Sequence, residues 1–344
     1  MLKFLVFSDL HYKKMMYASS VRDLQTIMDR ASDEKVDFVV HAGDLCNDYL
    51  GSPEIMKTFL ENDKDIPVYG VFGNHELETD NNSVQVVREK LSNQKVNFGD
   101  QEDGYWYADI GAYRLIGLDT NYSYSDALQG WEHNRTASWG APAGNRFSDS
   151  LGPKQLQWLD EVLADAAAQH LKVITVSHAG LAGTWTGTMH SGQKTVVKAS
   201  PDAEKVRGLF EKYAGTVILS INGHYHTDHF IVQDGIAYLD VNTVQNGFWA
   251  SRENHHYAPE HTFAFTDYDG DGNEKETRSI PFNALSQSKN TWFFDRPLSA
   301  VITIGDDGTL TVEGSKTNWY YGVEPDGADD GMKPEIPDRK VKLW

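Results

Sequence analysis

Groups able to bind metal ions recur at the ends of short apolar runs. Ser8-Asp9-Leu10-His11 follows the run at residues 4–7, Gly43-Asp44-Leu45-Cys46-Asn47-Asp48 follows 37–40, and Gly73-Asn74-His75-Glu76 follows 68–71. Further along, Ser177-His178 closes residues 173–176, and Asn222-Gly223-His224-Tyr225-His226 closes 217–221. Singly, each is an ordinary turn residue or a packed histidine. Together they form a set of carboxylate, amide and imidazole donors. That mixture suits Mn, Fe, Zn, Ni or Co better than a cysteine-rich zinc site or an all-oxygen calcium site. Asp9 with His11, and His224 with His226, stand one residue apart, so in extended chain each pair presents two groups to the same side. Gly43, Gly73 and Gly223 precede the donors and allow tight backbone there. A carboxylate left to bridge two ions implies a dinuclear centre.

The elements that must position these groups follow from hydrophobic pattern. Apolar runs at 4–7, 37–40 and 68–71 alternate with helix-length segments at 19–34 and 53–60, the rhythm of βαβ units and a parallel sheet. Ligands of such sheets collect at the carboxyl ends of the strands, where all five blocks lie. Residues 105–118 read as antiparallel strands. Leu156, Leu159, Val162 and Leu163 put an apolar stripe on a helix over 151–169, opened by Gly152-Pro153. Residues 236–241 read as another strand. Two stretches, 121–150 and 179–200, break the rhythm and are expected as long loops at the active site. From these and neighbouring positions, Trp185, His190 and Trp249, together with Asn47, are the expected substrate contacts. Residues 283–344 read as a C-terminal extension with a hairpin around Gly305-Asp306-Asp307-Gly308, ending in a surface tail over 322–337.

Composition narrows the partners. The 344 residues carry 31 Lys+Arg against 50 Asp+Glu, a net charge of −19, with 40% hydrophobic and 12% aromatic residues. That is ample for a large core. The acidity disfavours nucleic acid and membrane surfaces as partners, so an anionic substrate needs a local positive feature. Cys46 is the single cysteine and no signal peptide precedes the first apolar run, which points to the cytoplasm. Asp267-Tyr-Asp269-Gly-Asp271-Gly272 imitates the first half of a calcium loop, but its twelfth position is Arg278, and it reads as a hairpin turn.

The five blocks, Asp9-x-His11, Gly43-Asp44, Gly73-Asn74-His75-Glu76, His178 and Gly223-His224-x-His226, resemble the calcineurin-like metallophosphoesterase superfamily in content and order. The resemblance implies an α/β fold, a four-layer α/β/β/α sandwich of two mixed sheets flanked by helices, over residues 1–282. It implies one divalent ion held by Asp9, His11, Asp44 and His226, and a second held by Asp44, Asn74, His178 and His224. His75 would be the general acid beside the leaving group. Three positions after Asp44, where many members carry an aspartate that bonds this histidine, the chain has Asn47.

The implied chemistry is attack on a phosphoester by a hydroxide bridging two ions. Two divalent ions, the Asp9 and Asp44 carboxylates and a hydroxide leave about one positive charge, the feature the acidic composition requires. The expected substrate is a small nucleotide-like phosphodiester or diphosphate. Phosphomonoester hydrolysis is the alternative, and a non-catalytic metal-binding module the reading from another class. No arginine directly follows Asn47 or the Asn74-His75 block, which disfavours a phosphoprotein substrate.

Overall fold

The computed structural model describes residues 1–76, 83–100, 102–126, 129–133, 149–181, 185–188, 194–197, 199–249, 256–325 and 332–344. Strands β1 (Leu2–Phe7), β2 (Phe38–His41) and β3 (Val68–Gly70) run parallel, as the spacing predicts. Phe4 and Val6 point to one face of β1, Leu5 and Phe7 to the other, and all four are fully buried. A strand covered on both sides can afford apolar residues at every position. On the outer face, helices Val21–Asp33 and Pro53–Leu60 lay Leu24, Ile27, Met28, Ile55 and Phe59 against Leu5, Phe7 and Val39. The first helix starts in a capping box: Ser20 Oγ accepts the Asp23 N–H, and the Asp23 carboxylate accepts the Ser20 N–H at 2.7 Å.

The second sheet is built on β4 (Tyr113–Leu118), β5 (Lys172–Ser177), β6 (Val217–Asn222) and β7 (Ile236–Asp240), neighbours in that order and mutually parallel. Trp106–Ile110 pairs antiparallel with β4, as residues 105–118 predict. Helices Gly152–Ala168 and Ala203–Lys212 cover its outer face through Leu159, Leu163, Val206 and Phe210. Between the sheets, Phe4, Val6, Phe38 and Val40 meet Leu115, Ile174, Val176, Leu219 and Leu239. Layering is therefore helix, sheet, sheet, helix. The Trp106 indole N–H donates to Gly70 O at 3.0 Å and ties the two sheets near the end of β3.

The first sheet is completed from the far end of the chain. β8 (Ala300–Ile304) pairs antiparallel with β1, and β9 (Thr309–Glu313) and β10 (Arg339–Lys342) follow outward. Residues 283–344 thus supply three of the six strands of that sheet. The tail expected over 322–337 is in part structural. Met332 and Ile336 are buried between the sheets, and Glu335–Ile336 pairs with Ser315–Lys316, because two apolar side chains find the open end of the core.

The stretches expected as loops at 121–150 and 179–200 contain two antiparallel hairpins, Tyr122–Ser125 with Gly130–His133 and Trp185–Thr188 with Lys194–Val197. The acidic turn at 267–272 is a hairpin tip between Thr262–Tyr268 and Glu274–Pro281. There the Asp269 carboxylate accepts the N–H groups of Asp271 and Asn273, each at 2.9 Å, so it closes the turn. Among the described residues no helix is long and apolar enough to cross a membrane.

Candidate metal centre

Strands β1, β2, β3, β5 and β6 all end on one edge of the sandwich, and their exit loops are laced together. Asp9 N–H donates to Gly43 O at 3.1 Å, His11 N–H to Asp44 O at 2.9 Å, and Gly223 N–H to His178 O at 3.0 Å. The backbone there is not extended. Asp9, His11, Asp44, His224 and His226 all adopt left-handed φ between 50° and 73°. The pairs one residue apart therefore turn inward from a curled chain, where the spacing predicted an extended one. Left-handed non-glycine residues cost free energy and persist where surrounding structure overdetermines them, which marks this edge as functional. Gly43 has φ +94°, and a Cβ on it would lie 2.4 Å from His178 Nδ1. At Gly223 space is the constraint, since a Cβ would lie 2.6 Å from Asp9 Oδ2.

Two sets of donor atoms result. In the first, His11 Nε2 is 3.1 Å from His226 Nε2, 3.4 Å from Asp44 Oδ2 and 3.6 Å from Asp9 Oδ1, and Asp9 Oδ1 is 3.3 Å from His226 Nε2. In the second, His178 Nε2 is 3.1 Å from Asn74 Oδ1, 3.2 Å from His224 Nδ1 and 3.2 Å from Asp44 Oδ2. Ligands about 2.1 Å from a common ion, at right-angled to tetrahedral geometry, stand roughly 3.0–3.4 Å apart. Asp44 Oδ2 belongs to both sets, while Asp44 Oδ1 accepts the His75 N–H at 2.9 Å.

The chemistry of the donors fits cations. His178 Nδ1 faces Ala42 O and His226 Nδ1 faces Asn246 O, each at 2.8 Å. A carbonyl only accepts, so both rings carry their proton on Nδ1, and in the neutral form both Nε2 lone pairs aim at the centre. Asp9 Oδ1 is fully buried and accepts no hydrogen bond. Lone pairs converging without protons need positive charge between them.

The titration of the metal-free site says the same. Burial alone would raise Asp44, yet the imidazoles of His178, His75 and His11 outweigh it and hold the carboxyl well below its usual range. Burial would lower His178, but Asp44 and Asp9 push it up to about 10. Glu76, buried and repelled by Asp44, is pushed up to about 8.

Glu76 stands in one of the five blocks, but sequence reasoning left it without a role. Its carboxylate accepts the N–H groups of Asp44 at 3.1 Å and Leu45 at 2.6 Å, and also that of Gly73. It clamps the loop after β2 to the loop after β3. Both Glu76 and His178 retain protons in the folded metal-free chain to higher pH than when unfolded: from an ordinary 4.5 to about 8, and from 6.5 to about 10. The folded state then binds more protons than the unfolded one across that span, so its stability falls as pH rises. Below about pH 6.5 this is offset by His41 and His11, which burial holds below their ordinary values, so melting of chelator-treated protein should drop between about pH 7 and pH 9, and Mn²⁺, replacing the proton as the cation, should flatten the decline. A metal-free melting temperature that stays level or rises would contradict this account of the site.

His75 is buried beside both sets, with Nε2 3.9 Å from Asp44 Oδ2. Its Nδ1 is 3.0 Å from the Asn47 amide nitrogen. An amide N–H donates, so Nδ1 accepts and Nε2 carries the ring proton toward the centre. Asn47, expected at the substrate, is fully buried with its amide on His75 Nδ1. Trp185 and Trp249 lie on the strands Trp185–Thr188 and Asn246–Trp249, and His190 lies outside the described residues. His256 stacks flat on Trp292, centroids 3.8 Å apart.

Comparison with known proteins agrees with this geometry. The family profile of the calcineurin-like phosphoesterases matches residues 2–228, which includes every donor above. The chain belongs to that family. As a calcineurin-like phosphoesterase it is a metal-dependent phosphoester hydrolase, and its mixed two-sheet architecture is the family's. It is 25% identical over 246 residues to a manganese-dependent ADP-ribose/CDP-alcohol diphosphatase of Arabidopsis thaliana, covering 63% of this chain and 73% of that protein. A protein of the same description from Oryza sativa subsp. japonica is 26% identical over 192 residues, 47% of this chain and 57% of the relative. Among solved structures, a dimetal phosphatase from Danio rerio superposes with a TM-score of 0.57 at 14% identity, covering 100% of this chain and 99% of that one. GAP50, the anchor in the inner membrane complex of Plasmodium, superposes at 0.50 with 11% identity, covering 100% and 89%. At such identities the likeness speaks for the fold, and the chemistry rests on the donors.

Proposed function

We propose that this phosphoesterase hydrolyses the diphosphate linkage of a small nucleotide-like substrate. Asp9, His11, Asp44 and His226 hold one divalent ion, and Asp44, Asn74, His178 and His224 the other. The observation that carries the reading is Asp44 Oδ2, which stands 3.4 Å from His11 Nε2 and 3.2 Å from His178 Nε2 and so joins two donor sets. Two ions bound there would generate the nucleophile from water and neutralise the phosphoryl oxygens. The chain's own part is to set that geometry, exclude bulk water, and offer the His75 Nε2–H to the leaving oxygen.

The neutral amide of Asn47 supports a diphosphate over an alkyl ester. A carboxylate in its place would favour the imidazolium and strong acid catalysis, whereas a departing phosphate is a weak base and needs little more than a hydrogen bond. The names of the plant relatives point the same way. With a net charge of −19 the substrate is small and captured by the centre rather than by a basic track. The fully buried thiol of Cys46 fits a reducing compartment such as the cytoplasm.

A kinetic panel with Mn²⁺, Fe²⁺, Ni²⁺ and Mg²⁺ tests the reading. ADP-ribose and CDP-alcohols should be cleaved with kcat/KM at least about tenfold above cyclic nucleotides and nucleoside monophosphates, a difference of about 1.4 kcal/mol in the barrier. A preference for monoesters would replace the diphosphatase reading with phosphomonoesterase activity.

A further inference from the structure

Asp149 lies in none of the five blocks, yet it reaches the centre. Its Oδ2 is 3.8 Å from His224 Nε2, an ion-pair distance. His224 is oriented unlike the other candidate histidines. His178 and His226 aim Nε2 inward and donate Nδ1–H to backbone carbonyls. His224 aims Nδ1 inward, 3.2 Å from His178 Nε2, which leaves Nε2 on the outer side facing a carboxylate.

The position of Asp149 is not incidental. Its backbone is left-handed at φ 47°, and its carbonyl accepts Ser200 Oγ–H at 2.5 Å. The next residue's carbonyl, Ser150 O, accepts the Tyr122 N–H at 3.0 Å. One residue further, the Leu151 N–H donates to Asp202 Oδ2 at 3.0 Å. Residues 149–151 are thereby stitched to the Tyr122–Ser125 hairpin strand and to the segment leading into helix Ala203–Lys212. The tether brings a carboxylate to the one side of His224 that the candidate ions do not use.

We infer that Asp149 is a positioning residue for the second ion, acting through His224. A carboxylate 3.8 Å from the outer nitrogen of a ligating imidazole acts through its field: it favours the proton on that nitrogen and makes the inner nitrogen a stronger donor. Asp149 also adds a negative charge just outside the pair of ions. Affinity for the second ion rises, and the attraction of the centre for anionic substrate is moderated. Metal affinity and substrate affinity are thus set against each other by one side chain.

The inference rests on His224 holding an ion, and calorimetric titration of Mn²⁺ into chelator-treated, full-length protein separates the two claims. Wild type should bind two ions and His224→Ala one. Asp149→Asn should still bind two, the second weakened about 10–100-fold, with the first unchanged. Asp149→Glu should recover part of the loss, which a simple packing role would not predict. Circular dichroism confirms that each variant is folded, and the ligand-field spectrum of Co²⁺-loaded protein should change in Asp149→Asn. If His224→Ala loses an ion while Asp149→Asn and Asp149→Ala bind both as tightly as wild type, the role of Asp149 is refuted and the ligand reading stands. If His224→Ala keeps both ions at full affinity, both fall.

Discussion

Asp44→Asn should abolish hydrolysis while leaving a folded protein. The substitution keeps the shape of the side chain and keeps an oxygen at the Oδ1 position, which accepts the His75 N–H at 2.9 Å. What it removes is the negative charge and the shared oxygen itself, since an NH2 group then stands where Oδ2 joined the two donor sets. The two ions then lose their common anionic ligand and their fixed separation. Clamping of a phosphoryl group by a metal pair contributes several kcal/mol to the transition state, so the loss should be roughly three powers of ten or more in kcat. Bis-p-nitrophenyl phosphate with saturating Mn²⁺ gives the rate, and metal content after desalting gives the stoichiometry. A variant that turns over within tenfold of wild type and keeps two ions would show that Asp44 does not bridge.

His75→Ala should separate chemistry from metal binding. His75 belongs to neither donor set, and its side chain touches the Asn47 amide and the ring of His11. Both ions should therefore bind as in wild type. A positioned proton donor contributes about 10²–10⁴-fold, and the loss should be largest on substrates whose leaving oxygen is most basic. On an activated p-nitrophenyl ester the defect should shrink markedly. Equal losses on activated and unactivated substrates would deny His75 a part in leaving-group departure, and loss of an ion would make it a ligand.

The centre was largely legible in the sequence because each of its parts is local. Asp9 with His11, Asp44, Asn74 with His75, and His224 with His226 all follow apolar runs within a few residues, and β-strand periodicity places them on one edge. How they turn inward was not legible. Left-handed φ at Asp9, His11, Asp44, His224 and His226 is imposed by hydrogen bonds between loops far apart in sequence. Asp149 had no signal for the same reason: tertiary contacts place it, and its neighbours in sequence resemble any polar loop. Glu76 was visible as a residue, but its task depends on three amides from two different loops. At the C-terminus, Met332 and Ile336 are two apolar residues among polar ones, too sparse to betray that they plug the core.

The pairing of Leu2 with Ile304 and of Val6 with Ala300 has a consequence for how the protein is made. The strand that leads into Asp9 and His11 leaves the ribosome long before its neighbour on one side. Until residues 300–304 are translated, Leu2–Phe7 is an open sheet edge, apolar except for Lys3, the kind of surface that recruits other chains. A centre whose candidate ligands are all synthesised by His226 must therefore wait for Ala300–Ile304 before its first strand is enclosed. A transcript stopped at the boundary of the family match would release a chain with every candidate ligand and no closed sheet to hold them.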